Sequence, residues 1–244
     1  MKNVVFEIKE NVPLAKDVYK MTLCGDTSDI TRPGQFVNIK IDGLYLRRPI
    51  SVCDRDGGSL TLIYKVVGRG TGLMSGMGAG VKLDVLSGLG NGYDVTLSGG
   101  RPLLIGGGVG VPPLYLLAKE LVKEGKKVSA VLGFNTKDEV FFEDEFKALD
   151  CDVTVATVDG SHGVKGFVTN ALPEKYSFYY TCGPLPMLKA VYKACGKNGQ
   201  LSFEERMGCG FGACMGCSCK TITGYKRICR DGPVLDGEEI LWED

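Results

Sequence analysis

The 244-residue sequence has a single histidine, His162, and a single tryptophan, Trp242. One histidine, set in Gly160-Ser161-His162-Gly163, is thin material for acid–base chemistry, and it reads as a loop residue rather than a catalyst. Net charge is also lacking: 29 basic and 29 acidic side chains cancel, which leaves no electrostatic case for nucleic acid or an anionic membrane as partner. No run of ~18 apolar residues occurs. Met1-Lys2-Asn3-Val4 shows no apolar leader, so a soluble protein of the cytoplasm is expected. There is no internal repeat.

Cysteine and glycine are abundant instead. Ten cysteines without a secretory signal argue against a disulfide scaffold and for thiols used as ligands in a reducing compartment. Four of them, Cys209, Cys214, Cys217 and Cys229, follow the C-x4-C-x2-C…C spacing of plant-type [2Fe–2S] ferredoxins. Gly210, Gly212 and Gly216 are placed to take the positive φ of a tight loop whose N–H groups point at sulfur. Four thiolates also make structural zinc sites, but those usually pair two short knuckles. Cys219 reads as a spare. Glycine, 35 residues, is about twice the average usage of ~7% and falls in short clusters, a sign of tight turns and of backbone approaching ligands.

The chain divides by pattern into three expected modules. Residues 1–98 carry short β-rich runs at 18–23, 36–41, 59–64 and 82–86, with no helix of normal length, and predict a small antiparallel barrel. Residues 99–200 alternate strand and helix, with strands expected at 103–105, 128–134, 152–158 and 178–182 and helices at 112–123, 142–149 and 185–194. That order implies a parallel sheet with right-handed crossovers. Residues 201–244 have little periodicity and are expected to be organised by their metal centre. The fold class is therefore multidomain: an antiparallel β-barrel, an α/β parallel-sheet domain and a small C-terminal cluster domain.

Gly106-Gly107-Gly108-Val109-Gly110-Val111-Pro112-Pro113 follows a buried strand and opens a helix, a setting for a pyrophosphate, though the spacing is not G-x-G-x-x-G and a plain tight turn fits nearly as well. Cys182-Gly183-Pro184 ends a later strand of the same sheet, where open α/β domains bind ligands; Cys182 reads either as a neighbour of a nicotinamide ring or as a buried structural thiol. In the barrel, Arg47-Arg48-Pro49-Ile50-Ser51 sets adjacent guanidiniums at the mouth of a strand, suited to phosphate, and Gly68-Arg69-Gly70-Thr71-Gly72 adds N–H donors and a hydroxyl. Either alone reads more readily as a surface turn with solvated arginines, but their joint presence in one barrel favours phosphate binding. After the second α/β strand, Gly133-Phe134-Asn135-Thr136-Lys137-Asp138 has no arginine for a 2′-phosphate and only Lys137 as a cation, which favours NAD over NADP. Electron counting joins the parts: a [2Fe–2S] centre passes single electrons, a nicotinamide exchanges a hydride, and a flavin does both.

Arg48-Pro49-Ile50-Ser51 resembles the flavin-binding R-x-[YI]-S element of ferredoxin–NADP reductase-like proteins, and the glycine turn and Cys182-Gly183-Pro184 resemble their nicotinamide motifs. With the cysteine loop and the ending Cys229-Arg230-Asp231-Gly232-Pro233-Val234, the whole chain is similar to the electron-transfer subunits of dihydroorotate dehydrogenase B. The resemblance implies FAD held by Arg48, Pro49, Ile50, Ser51, Ile63, Tyr64, Lys65, Gly70 and Thr71. It implies NAD at Gly107, Gly108, Gly110, Cys182, Gly183 and Pro184, and a cluster on Cys209, Cys214, Cys217 and Cys229. It also implies a separate FMN-containing catalytic subunit that oxidises dihydroorotate to orotate in pyrimidine biosynthesis, with two of each subunit in a heterotetramer. Subunits of ferredoxin–NADP transhydrogenases and sulfide dehydrogenases share these modules, and a zinc-stabilised nucleotide-binding regulator is the non-enzymatic alternative. Trp242 and the acidic residues Glu238 and Glu239 read as a solvated end.

Overall fold

A computed structural model of the chain describes residues 1–242. Six strands close the first part into an antiparallel barrel: β1 (Lys2–Ala15), β2 (Val18–Cys24), β3 (Phe36–Ile39), β4 (Arg48–Asp56), β5 (Ser59–Lys65) and β6 (Lys82–Leu89), in the order β1-β2-β5-β4-β3-β6. The 14-residue β1 closes it by pairing first with β6 and then with β2. Irregularities between Ile8 and Glu10 and between Pro13 and Ala15 let so long a strand bend around the barrel. Alternate side chains, such as Phe6 and Ile8, Leu60 and Leu62, and Leu83 and Val85, fill the interior. Between β5 and β6, Arg69–Ser75 forms a helix of seven residues, α1, which motif reading did not separate from the surrounding turn. Its glycines disguise it, because glycine is a poor helix former. The Thr71 hydroxyl compensates by accepting from the N–H groups of Val67 and Gly68.

The second part continues through β7 (Pro102–Gly107), α2 (Pro113–Lys123), β8 (Ser129–Phe134), α3 (Glu143–Ala148), β9 (Asp152–Thr157), β10 (Val164–Lys165), β11 (Phe178–Cys182), α4 (Leu185–Cys195) and β12 (Gly199–Ser202). The last part adds a hairpin of β13 (Ser218–Thr221) and β14 (Gly224–Arg227), then β15 (Val234–Asp236). The larger sheet runs β10-β9-β8-β7-β11-β12-β15. All its pairs are parallel except β12 with β15, so the end of the chain returns to cap the sheet's edge. Every residue of β7 is buried, as expected of a central strand covered on both faces.

Helix α2 joins the two bodies. Its Leu114, Leu117 and Leu121 face the sheet, whereas Leu116 enters the barrel's core. Lys119 on the same helix donates to both carboxylate oxygens of Asp54 on β4, at 2.8 and 2.9 Å. Up to Trp242 the last part of the chain is only partly the solvated end expected, with Glu238 exposed. Trp242 packs on Tyr192 of α4 and on Phe203, with ring centroids 5.5 and 5.9 Å away, and Glu239 pairs with Lys226.

Candidate functional site

The larger sheet reverses direction of winding at β7. Strands β8, β9 and β10 follow on one side, β11 and β12 on the other. Crevices at such switch points, outside the carboxyl ends of the strands, are where open α/β sheets bind ligands. Both glycine-containing turns lie there, and they touch. Gly108 has φ +52, a Cβ on Gly107 would fall 2.4 Å from the Met187 sulfur, and one on Gly110 would fall 2.3 Å from the Cys182 carbonyl oxygen. The turn after β7 is therefore glycine-rich because the turn after β11 presses against it. Cys182 sits between Gly106 and Ser202 in the strand register, and burial pushes its thiol up to about 12. A cavity of about 260 Å3 opens beside this turn, lined by Gly183, Pro184, Leu185, Leu188, Glu204, Glu205 and Arg206.

On the barrel, the two adjacent arginines separate in role. Arg47 donates to the Asp84 carboxylate at 2.9 Å, to the Asp84 carbonyl at 2.9 Å and to the Asn38 carbonyl at 3.3 Å, so it ties β3 and β6 together. It is not free to clamp a phosphate, which corrects the reading of a paired-arginine mouth. Arg48 uses one guanidinium nitrogen on the carbonyls of Leu46 and Arg47, at 2.6 and 3.2 Å. Its Nε would lie 1.9 Å from a Cβ on Gly70, so only glycine at 70 lets α1 approach the arginine. Pro49 and Ser51 stand opposite Asn38 and Phe36 in the β3–β4 register, and Ile50 packs toward the barrel core. Ile63 packs toward the sheet. Tyr64 is buried, donates to Asn11 at 2.9 Å and stacks on Tyr19, and burial pushes its hydroxyl up to about 12. Its side chain is thus spent in the core, leaving backbone there for a ligand. Lys65 is half-buried, and the Thr71 hydroxyl is taken up in capping α1.

The cysteine loop is folded around its sulfurs. Ala213 and Cys214 donate backbone N–H groups to the Cys209 sulfur at 3.2 and 3.4 Å, Cys209 donates to the Cys214 sulfur at 3.5 Å, and Cys229 donates to the Cys217 sulfur at 3.4 Å. Burial pulls the Cys209 thiol upward, but N–H donors from Phe211, Cys214 and Ala213, with the Cys214 thiol, outweigh it and bring it down to about 6. Burial pushes Cys229 up to about 12. Gly210 and Gly212 take the expected positive φ, +78 and +93, but in the next turn Met215, at +60, does so in place of Gly216. A Cβ on Gly216 would lie 3.5 Å from the Cys214 sulfur, an ordinary contact, so the structure gives no steric reason for glycine there. Among the described residues no three Cys, His, Asp or Glu groups converge on the volume of a single ion. The thiols of Cys209 and Cys214 hydrogen-bond each other, as do those of Cys217 and Cys229, an arrangement that suits a centre of two irons. Cys219, on β13, packs into the core instead.

Two asparagines that motif reading missed hold this loop to the barrel. Asn91, just after β6, donates to the carbonyls of Asp231 and Val234 at 3.2 and 2.7 Å. Asn38 reaches the Cys209 carbonyl at 3.5 Å. The only sequence signal for Asn38 was a polar residue inside the apolar strand Phe36-Val37-Asn38-Ile39. His162 lies in a loop, its Nε2 2.7 Å from Glu143, away from all of these features.

Comparison with known proteins adds to this geometry. Residues 204–241 match the family described as the iron-sulfur cluster binding domain of dihydroorotate dehydrogenase B, and residues 104–193 match the oxidoreductase NAD-binding domain. The dihydroorotate dehydrogenase B (NAD(+)) electron transfer subunit of Fusobacterium nucleatum is 49% identical over 96% of this chain and 96% of its own. That of Geobacillus sp. (strain WCH70) is 46% identical over 99% of each. Among solved structures, the NADH-dependent reduced ferredoxin-NADP oxidoreductase is 34% identical with a TM-score of 0.88, covering 97% of this chain and 90% of that one. A ferredoxin NADP+ reductase from Neisseria gonorrhoeae shares the fold, at 15% identity and a TM-score of 0.71 over 84% of this chain and 96% of that one. With barrel, switch-point sheet and cysteine loop all in this order, the chain belongs to the dihydroorotate dehydrogenase B (NAD(+)) electron transfer subunit family.

Proposed function

We propose that this oxidoreductase subunit carries electrons from an FMN-containing dihydroorotate dehydrogenase subunit to NAD+, in an assembly with two copies of each chain. Cys209, Cys214, Cys217 and Cys229 hold a [2Fe–2S] cluster. Arg48, Pro49, Ile50, Ser51, the backbone of Ile63, Tyr64 and Lys65, and the first turn of α1 at Gly70 and Thr71 hold FAD. Gly107, Gly108, Gly110, Cys182, Gly183 and Pro184 receive the dinucleotide. When bound, these groups divide the chemistry, the cluster passing single electrons and the flavin exchanging a hydride with the nicotinamide. The chain's own work is to hold, orient and shield. Arg48 offers its remaining guanidinium edge to phosphate, the open backbone at Gly108 leaves room for a ligand, and the loop N–H groups around Cys209 favour its thiolate.

The observation that carries this reading is position. The barrel borders both other parts: the cysteine loop lies against its β3 strand, while Cys217 and Cys229 also pack in one core with α4 and β12, and the dinucleotide-binding sheet joins its β4 strand through Lys119 and Leu116. A flavin on the barrel is therefore adjacent to both a one-electron and a two-electron site. Anaerobically purified protein is expected to hold about two irons per chain and a flavin, and, mixed with the FMN-containing subunit, to reduce NAD+ at the expense of dihydroorotate. Zinc in place of iron overturns the reading. The 34% likeness to the reduced ferredoxin-NADP oxidoreductase favours a second reading, a transhydrogenase subunit. It wins if reduced ferredoxin, and not dihydroorotate, drives the reaction.

A further inference from the structure

Strand β3 turns Val37 and Ile39 into the barrel, and Phe36 and Asn38 therefore stand on its outer face. In the antiparallel register Phe36 faces Ser51 and Asn38 faces Pro49, so Asn38 shares a face with two residues of the flavin-binding strand. That face is covered by the cysteine loop. Asn38 is only 1% exposed, its Nδ2 lies 3.5 Å from the Cys209 carbonyl, and a Cβ on Gly210 would come within 2.2 Å of the same nitrogen. The amide cannot be turned over without setting its oxygen against that carbonyl. Its Oδ1 is buried and has no hydrogen-bond partner. A buried acceptor left unpaired is costly, and native structures rarely keep one without use.

We propose that Asn38 is a positioning residue that couples the two redox sites: its N–H holds the Cys209 carbonyl, and its Oδ1 accepts a hydrogen bond from an N–H or O–H donor of the flavin bound on β4. The inference rests on the flavin and cluster reading above and deepens it. Cys209 is the first cluster ligand in the chain and Pro49 belongs to the flavin element, so one side chain sets the distance and contact between them. Arg47, donating to the Asn38 carbonyl at 3.3 Å, fixes the backbone from which it reaches.

Two variants separate the two ends of the amide. Asn38→Leu removes both functions in a similar volume; Asn38→Asp keeps Oδ1 and loses the N–H. With iron and flavin first quantified in the parent protein, each variant is measured for flavin affinity by titration of flavin-stripped protein, for the electron paramagnetic resonance spectrum and midpoint potential of the cluster, and for the rate at which NADH-derived electrons reach the cluster. Asn38→Leu is expected to weaken flavin binding about tenfold, to alter the spectrum and to slow transfer to the cluster. Asn38→Asp is expected to keep flavin affinity while altering the spectrum and lowering the potential, because a carboxylate opposes added negative charge nearby. Unchanged flavin affinity, spectrum and potential in Asn38→Leu overturn the inference alone, leaving the carriers in place. A parent protein without iron or flavin overturns it together with the function it rests on.

Discussion

At the scale of single residues, glycine at 70 decides how Arg48 is presented. The missing Cβ leaves room for the guanidinium, whose Nε would otherwise be 1.9 Å away, and the arginine's NH1 is already committed to the carbonyls of Leu46 and Arg47. Gly70→Ala is unusual among substitutions at close contacts because two effects pull apart. Alanine improves helix propensity by ~1 kcal/mol, which offsets part of the crowding. The displaced arginine would lose the proposed phosphate contact, a charge-assisted hydrogen bond worth ~1.5–3 kcal/mol. The variant should therefore stay folded, with a thermal midpoint near that of the parent, while flavin binding weakens about 10- to 100-fold. Equal flavin affinity in a titration of the two proteins would show that Arg48 does not carry the phosphate. The residue scale is also where motif reading reached least. The placement of Arg48 at the start of a barrel strand was legible from its neighbours. The capture of Arg47 by Asp84, 37 residues on, was not, nor was the contact of Asn38 with Cys209 across 171 residues, because no local pattern records which distant backbone a side chain will meet.

Among the elements, α2 does the most joining. Its apolar stripe was readable from spacing, but Leu116 looks in sequence like part of the same stripe as Leu114 and Leu117, and only the packing assigns it to the barrel. Magnitudes say which contact matters. The Lys119–Asp54 pair is partly exposed, with 34% and 22% of the side chains accessible, and is worth at most ~1 kcal/mol. Leu116 is 4% exposed, and truncating such a residue costs ~2–5 kcal/mol. Leu116→Ala should lower stability by that larger amount in denaturant titration, with backbone circular dichroism and Trp242 fluorescence still changing together. An early loss of barrel signal with Trp242 unmoved would mean that α2 is not a shared wall. Regular elements of this kind were the legible part of the fold, since apolar periodicity is written locally. Helix α1 escaped because its glycines argue against a helix, and β15 because three residues, Val234-Leu235-Asp236, are too few to show a period.

For the molecule as a whole, the question is whether the three sites are separable, and the placement of the four cysteines proposed as ligands answers it unevenly. Cys217 and Cys229 are each 2% exposed and belong to the core shared by α4, β12 and the end of the chain. Changing either would excavate that core as well as remove a ligand. Cys214 is exposed and belongs to no core. Its loop is held from outside, by Asn91 on Asp231 and Val234 and by Arg227 on the Gly212 carbonyl at 2.9 Å, and these ties persist without Cys214. The barrel interior and the face of the sheet packed under α2 include none of these four cysteines. Cys214→Ser should therefore lose iron, from about two per chain to almost none, while retaining flavin and its reduction by NADH. In the complex proposed with an FMN-containing subunit, dihydroorotate should no longer drive NAD+ reduction, because the entry site for single electrons is gone while the hydride-exchanging end remains. If NADH failed to reduce the flavin of this variant, the cluster would have to lie between nicotinamide and flavin, and the barrel could not be the middle station of the path.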